Sequence, residues 1–142
     1  MENKTPPKWF KMVVIVALLW NLMGILNFFM QLTITPEALA SYPEAEQELI
    51  KNAPLWSMIA FALGVFGGTV GSLGLFLKKG WSKTTLLISL IAVTLQMGYW
   101  VFFTQAVAVY GPSTYVMPFI VVAIAILLYR LATNGIRKGY LN

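Results

Sequence analysis

The sequence predicts an all-α integral membrane protein whose single domain, residues 1–142, is a four-helix bundle. Of its residues 58% are apolar and 11% are charged, whereas roughly a quarter of the residues in a soluble domain are charged. Four apolar stretches are each long enough to cross a bilayer. Lysines and arginines concentrate in alternate segments between these stretches, which is typical of a multi-pass protein.

The four predicted spans are residues 12–32, 55–77, 84–106 and 112–133. A helix that rises 1.5 Å per residue needs about 20 apolar residues to cross a hydrocarbon layer of about 30 Å. The first three spans contain no charged residue, and the fourth carries Arg130 in its last turn, where a long side chain can reach the headgroups. A cleavable signal peptide fits the first span less well, because the apolar run is about twice as long as such a peptide requires.

The basic residues predict that both chain ends lie in the cytoplasm. They precede the first span, separate the second from the third and follow the fourth: Lys4, Lys8, Lys11, Lys78, Lys79, Lys83, Arg137 and Lys138. Cytoplasmic segments carry such an excess of Lys and Arg. Residues 33–54 contain four glutamates and one lysine, residues 110–117 contain no charge, and these two loops are therefore predicted to face outward.

The first outward loop is predicted to contain a short helix over residues 42–52. Thr35 before Pro36 has the pattern of a helix N-cap, and Ser41 with Glu44 has the Ser-x-x-Glu spacing of a capping box. Apolar residues three and four apart give this helix a stripe that can lie on the bundle or on the membrane surface. Its acidic face is most simply a solvated surface, with an outward partner or a cation as the alternative.

The first and third spans share a motif at an offset of 74 residues. Met23-Gly24-x-x-x-Phe28-Phe29-x-Gln31 aligns with Met97-Gly98-x-x-x-Phe102-Phe103-x-Gln105. The match predicts a duplicated helical hairpin, with the loop helix as an insertion in the first copy. Two hairpins of the same orientation would form a parallel repeat of the kind found in some transporters, and they are equally compatible with a plain four-helix bundle.

At 100° per residue, the first span places its polar residues and the motif on one face. This face comprises Asn21, Gly24, Asn27, Phe28 and Gln31. It is predicted to contact protein, because an unpaired amide that faces lipid is costly. On the third span the matching face comprises Gly98, Phe102 and Gln105, whereas Ser89 and Gln96 lie nearly opposite. The third helix is therefore predicted to be enclosed on two sides.

Five amides form the candidate polar stripe within the membrane: Asn21, Asn27, Gln31, Gln96 and Gln105. The simpler interpretation is hydrogen bonding between helices, at about 1 kcal/mol or less for each bond. The alternative is a cavity, open to the outside, in which these amides bind an uncharged polar solute and Tyr99 and Trp100 offer stacking surfaces.

The second span carries the candidate packing ridge of small residues: Ala60, Gly64, Gly67, Gly68, Gly71 and Ser72. Helices in lipid associate by close backbone approach, which small residues four apart permit. The ridge predicts the helix against which the others pack, and homodimerisation through the same ridge is the alternative. The aromatic residues near the span ends are predicted to lie at the membrane interfaces: Trp9, Phe10, Trp56, Trp81, Tyr110 and Tyr115.

Composition argues against most catalytic chemistry. The chain has no Cys and no His, and its acids lie in the outer loop or at Glu2, so no ionisable relay is expected at membrane depth. No catalytic motif occurs, and we expect neither enzyme activity nor a cofactor or metal. The expected partner of the basic residues is the lipid bilayer and not nucleic acid, because they sit at the ends of apolar runs.

Five short motifs resemble those of a family of small bacterial four-span membrane proteins. They are Trp20-Asn21-Leu22-Met23-Gly24, Thr35-Pro36-Glu37, Pro43-Glu44-Ala45-Glu46-Gln47, Phe66-Gly67-Gly68-Thr69-Val70-Gly71 and Gln96-Met97-Gly98-Tyr99. The resemblance covers residues 9–105. It implies a multi-pass protein of the bacterial cytoplasmic membrane; some members carry the label "sugar transporter". It implies no site residues, and the fourth span departs most from the pattern.

Two hypotheses for function follow. The first is a non-catalytic membrane protein that works by helix packing, as a homo-oligomer or as an accessory subunit of an envelope complex. The second is a facilitator for a small neutral polar solute such as a sugar. A cavity between the first and third helices would favour the second hypothesis, and a closed core would favour the first.

Overall fold

The computed structural model describes residues 4–141. Glu2 therefore lies outside the described residues. Within residues 4–141 the elements are helices and turns, without a strand. The elements are α1 (Lys8–Leu32), α2 (Pro36–Ala40), α3 (Glu44–Lys51), α4 (Leu55–Phe76), α5 (Ser82–Phe103), α6 (Ala106–Tyr110), a 3₁₀ turn (Pro112–Tyr115) and α7 (Val116–Arg137). Four helical segments are long and apolar enough to cross a membrane, the last being Pro112–Arg137. The predicted all-α, four-helix membrane class is confirmed.

The bundle has two distinguishable ends. At the terminal end, the backbone amide of Lys4 donates to the carbonyl of Gly139 at 2.9 Å, so the two described chain ends meet. The turn between α4 and α5 lies at this end too. The opposite, loop end carries α2, α3, α6 and the 3₁₀ turn. The long helices follow the order α1, α4, α5, α7, and each packs on the next.

A buried apolar cluster closes the terminal end. It comprises Phe10, Val14, Ala17, Leu75, Leu86, Leu128, Ala132 and Leu141. The ring of Phe10 lies 5.8 Å from that of Tyr140, and Phe10 is 2% exposed. Phe10 is therefore a core residue, and its predicted place at the membrane interface is wrong, because it shares a helix face with Val14 and Ala17. Trp9, on the adjacent face, remains exposed, as do Trp56, Trp81, Tyr110 and Tyr115.

The small residues of α4 permit close contact with both neighbouring helices. A Cβ added at Gly64 would lie 2.4 Å from Val93 Cγ1 of α5, and one at Gly68 would lie 2.1 Å from Asn21 Oδ1 of α1. Added at Gly67 and Gly71, a Cβ would likewise meet α5, at Ser89 and Leu86, while Ala60 and Ser72 are buried. The ridge thus contacts α1 and α5 of the same chain.

The helices α4 and α7 end in the same way at the terminal end. After each, one residue adopts a positive φ, 60° at Lys78 and 81° at Gly139, and the next amide donates to the carbonyl five residues earlier. This is a Schellman turn, which satisfies carbonyls left free at a helix C-terminus. Glycine adopts a positive φ without strain, whereas a lysine does so at a cost of about 1–2 kcal/mol.

The loop between α1 and α4 contains two short helices where one was predicted. The hydroxyl of Thr35 accepts a hydrogen bond from the amide of Ala38 at 3.1 Å, so this residue caps α2. The predicted capping box at Ser41 is wrong, because the Ser41 hydroxyl donates backwards to the carbonyl of Ala38 at 2.6 Å. Pro43 occupies the N-cap of α3, without a side-chain cap.

Candidate functional site

A cavity of about 1050 Å³ lies between the four long helices, towards the loop end. Its walls come from α1, α4, α5 and α7. Leu86 and Leu128 line its deep end, where the buried apolar cluster begins. Residues of the loop end contribute to the opposite side: Tyr42, Leu49, Ile50, Tyr110, Ser113 and Thr114. The cavity therefore has an apolar floor at the terminal end and a partial roof of loop residues.

Four of the five predicted amides line this cavity. Asn21, Asn27 and Gln31 reach it from α1, and Gln96 reaches it from α5. Gln105 is exposed and does not belong to the lining. Its predicted place in the stripe is wrong because α5 ends at Phe103, and Thr104 turns the chain with an extended conformation (φ −118°, ψ 173°). Beyond that turn, helical periodicity no longer relates Gln105 to the residues of α5.

The matching stripe predicted on the third span faces away from the bundle. Phe102 is 75% exposed, and no neighbour lies within 4 Å of a Cβ added at Gly98. The opposite face, with Ser89 and Gln96, lines the cavity. In the first hairpin, by contrast, the ring of Phe28 stacks on Phe61 of α4 at 5.7 Å. The shared motif therefore packs differently in the two hairpins, and the duplication stays a prediction.

Asn21 connects α1 to α4 beside the deep part of the cavity. Its side-chain amide donates to the carbonyl of Ala17 at 2.8 Å and to the Ser72 hydroxyl at 3.4 Å, and the residue is 9% exposed. A second tie joins α5 to α4, where the Ser89 hydroxyl donates to the carbonyl of Gly64 at 2.6 Å. These two polar residues serve helix association, which matches the simpler interpretation of polar groups at depth.

The other three amides of the lining have no hydrogen-bond partner in the part of the chain that the structure describes. Within residues 4–141, the side chains of Asn27, Gln31 and Gln96 make no hydrogen bond to another residue. Interhelical bonding therefore does not account for them. Asn27 and Gln31 are exposed and Gln96 is partly exposed, so their side chains are free to hydrogen-bond water or a bound molecule in the cavity.

Ser57 of α4 adds a polar group that sequence reasoning missed. It is 7% exposed, lines the cavity, and its hydroxyl has no hydrogen-bond partner among the described residues. Ser57 lies three residues before Ala60, so helical spacing places it on the same face as the small-residue ridge. That spacing was the available signal.

The lining is uncharged, and the part of it that α7 contributes differs in polarity from the rest. Within the described part of the chain, no Lys, Arg, Asp or Glu lines the cavity. The contribution of α7 is wholly apolar and comprises Met117, Pro118, Val121, Ile124, Ala125 and Leu128. Five of the seven methionines of the protein belong to the lining: Met23, Met30, Met58, Met97 and Met117. Flexible thioether side chains of this kind adapt to ligands of different shape.

Of the two aromatic residues predicted as stacking surfaces, Trp100 lines the cavity and Tyr99 does not. The Tyr99 ring packs instead on Trp56 at 4.8 Å and on Phe103 at 6.3 Å. Trp20 of α1 is a further lining residue. The cavity thus has two indole rings, one from α1 and one from α5.

At the loop end, α3 lies beside α6 and brings Glu46 close to Tyr110. Partial burial raises the pKa of the Tyr110 hydroxyl above its ordinary value of 10.0, and the negative charge of Glu46 raises it further. Tyr110 therefore stays protonated at neutral pH, beside the Glu46 carboxylate.

Comparison with protein-family models, with curated proteins and with solved structures finds no match to this chain. The family resemblance therefore stays a prediction.

Proposed function

We propose that this protein binds a small uncharged molecule in the cavity and facilitates its passage across the bacterial cytoplasmic membrane. The observation that carries the proposal is the set of three amides without a hydrogen-bond partner among residues 4–141, Asn27, Gln31 and Gln96, in a cavity whose described lining carries no charge. In this proposal the terminal end is cytoplasmic, as the lysines and arginines predict.

The lining favours an uncharged molecule for an energetic reason. An ion that leaves water for an apolar cavity needs a counter-charge, because its desolvation costs several kcal/mol or more. The amides of Asn27, Gln31 and Gln96 offer donors and acceptors but no such charge. Hydrogen bonds to a hydroxyl or carbonyl group would satisfy these amides, at about 0.5–1.5 kcal/mol for each bond.

The described conformation corresponds to one stage of such a transport cycle. The buried cluster around Phe10, Val14 and Leu128 separates the cavity from the terminal end. Release to the cytoplasm would require α1 to separate from α7 and from the segment that follows it, with loss of the contact between Phe10 and Tyr140. Movement of one hairpin relative to the other around a central site is the general scheme of alternating access.

Counterflow in proteoliposomes tests the proposal. Vesicles loaded with an unlabelled uncharged compound, with sugars, polyols and long-chain alcohols each tested, should transiently accumulate the labelled form of at least one of them when the protein is present. We expect Gln96→Leu and Asn27→Leu to reduce the initial rate. Gln105→Leu is the matched control, because that amide lies outside the cavity, and its rate should equal that of the wild-type protein. Equal rates in all three variants would contradict the proposal.

The alternative is a protein that works by helix packing, as a homo-oligomer or as an accessory subunit of an envelope complex. The small-residue ridge that motivated this hypothesis packs against α1 and α5 of the same chain, as at Gly64 and Gly68, and this gives the hypothesis less support. Native mass spectrometry after mild extraction tests it directly. A strictly monomeric species without a co-purifying protein would argue against it.

A further inference from the structure

The bundle is not closed between its first and last long helices. The helix α1 packs on α4, and α7 packs mainly on α5. Along most of their length α1 and α7 do not pack on each other. They meet at the terminal end, where Phe10 of α1 contacts Tyr140, just beyond the end of α7. Above that contact, towards the loop end, both helices line the cavity. A fissure between α1 and α7 is therefore a side opening of the cavity.

Residues along the fissure are at the depth of the hydrocarbon. Met23 lines the cavity and is nevertheless 61% exposed, so it forms part of the rim. It lies nine residues before the end of α1 at Leu32, which corresponds to about 13 Å along the helix axis. In a hydrocarbon layer of about 30 Å, that position is near the middle. The fissure therefore faces lipid and not water.

We infer that the occupant is an uncharged amphiphile with one apolar chain, such as a monoacylglycerol or a long-chain alcohol, and that it enters from the bilayer between α1 and α7. This inference rests on the proposed function and names its substrate class and route. A free sugar, which approaches from water, is the substrate class that it argues against.

The distribution of polar groups supports an amphiphile. Asn27 and Gln31 lie in the last two turns of α1, and Gln96 lies two turns before the end of α5, so all three are in the part of the cavity near the loop end. The floor at Leu86 and Leu128 is apolar. A molecule with its polar end at the amides and its chain towards the floor would have the orientation of a lipid in the adjacent leaflet.

The wholly apolar wall of α7 argues against a sugar. A sugar carries hydroxyl groups around its whole ring, and those that face Val121, Ile124 and Ala125 would lose their water without a partner. Each such hydroxyl costs about 1–3 kcal/mol. An alkyl chain against the same wall gains about 0.8 kcal/mol for each CH₂ group that leaves water, or exchanges lipid contacts for protein contacts at little cost.

Quenching of tryptophan fluorescence provides the test. The protein is reconstituted in nanodiscs, and a monoacylglycerol with a dibrominated chain is added. Bromine quenches an indole on contact, and Trp20 and Trp100 line the cavity whereas Trp9 and Trp81 do not. We expect a saturable component of quenching that unbrominated monoacylglycerol displaces and that glucose does not displace.

Matched variants assign the saturable component to the cavity. The double variant Trp20→Phe, Trp100→Phe should lose it, and Trp9→Phe, Trp81→Phe should retain it. Asn27→Leu should raise the half-saturating lipid fraction roughly 3- to 10-fold, which corresponds to one hydrogen bond. Quenching that increases linearly with lipid in every variant would overturn the inference.

Two further variants show whether a loss of saturable quenching comes from a filled cavity or from misfolding. Ala125→Phe fills the cavity from the α7 wall and should abolish saturation, while Ala123→Phe, whose site is not in the lining, should leave it intact. Sugar counterflow then separates the two proposals. If a sugar is transported and monoacylglycerol quenching is not saturable, the proposed function stands and the amphiphile inference falls. If neither occurs, both fall.

Discussion

Substitution of Gly68 by alanine should destabilise the bundle strongly, because the added methyl group would lie 2.1 Å from Asn21 Oδ1 and 2.8 Å from Asn21 Cγ. Both distances are well inside van der Waals contact, and the atoms belong to a side chain that is 9% exposed. Asn21 must therefore move or α1 must separate from α4. Either change also weakens the hydrogen bond to Ser72.

The magnitude follows from two contributions. Overpacking in a well-packed core costs about 1–3 kcal/mol. Loss of an interhelical hydrogen bond in a membrane protein adds about 0.6 kcal/mol. We therefore expect Gly68→Ala to lower the free energy of unfolding by about 1.5–3.5 kcal/mol. Gly98→Ala is the matched control, because no atom lies within 4 Å of the new methyl group, and alanine is up to about 1 kcal/mol better than glycine within a helix.

The assay is reversible unfolding in mixed micelles, with the helical signal in circular dichroism followed as the mole fraction of dodecyl sulfate rises. Gly68→Ala should shift the midpoint to a lower fraction, and Gly98→Ala should leave it unchanged or raise it. Equal midpoints for the two variants would refute the packing of α1 on α4 described above. A larger loss in Gly98→Ala would refute the outward orientation of that face of α5.

Three further predictions concern the ends of the bundle. Lys78→Gly should raise the free energy of unfolding by up to about 1 kcal/mol and Gly139→Ala should lower it by about 1 kcal/mol, since both residues have a positive φ. Thermal unfolding in detergent measures both changes. A change in stability of the same sign for both variants would contradict the prediction. Phe10→Ala should lower the free energy of unfolding by about 3–5 kcal/mol and Trp9→Ala by much less, because Phe10 is buried in the apolar cluster and Trp9 is exposed. Comparable losses of stability in the same unfolding assay would place both residues at the interface. The raised pKa of Tyr110 contributes stability that is present below pH 10, the ordinary tyrosine pKa, and is lost as the pH rises through the pKa of the folded protein. The free energy of unfolding should therefore fall more steeply above pH 10 in the wild-type protein than in Tyr110→Phe. Identical pH profiles would exclude the effect of burial and Glu46 on this pKa.

Helix number and class could be read from the sequence because each span satisfies a length condition that depends on apolar composition alone. The face of α1 that carries Asn21, Asn27 and Gln31 was also predictable, since helical periodicity holds across an uninterrupted helix. The same reasoning was wrong at Gln105. One residue in extended conformation, Thr104, separates Gln105 from α5, and no local sequence pattern predicts that turn.

The cavity itself could not be derived from single helices. Its size depends on the separation of α1 from α7, which is set by how α4 and α5 hold them at opposite sides of the bundle. The apolar wall of α7 has no sequence signature that distinguishes a cavity lining from a lipid-facing surface, because both are rich in Val, Ile and Met. Likewise the position of Phe10 near the end of a span is typical of an interfacial aromatic residue. Its burial depends on packing against Tyr140, which is distant in the sequence.

The contact between Asn21 and Gly68 links two positions that are far apart along the chain. Each site restricts what the other can become: position 68 has no room for a methyl group while an amide occupies position 21. In homologues that descend from this protein, the two positions should therefore change together, and a larger side chain in α4 should appear only after a shorter side chain in α1. Ancestral order of substitution at this pair would be constrained, since the shortening step must come first.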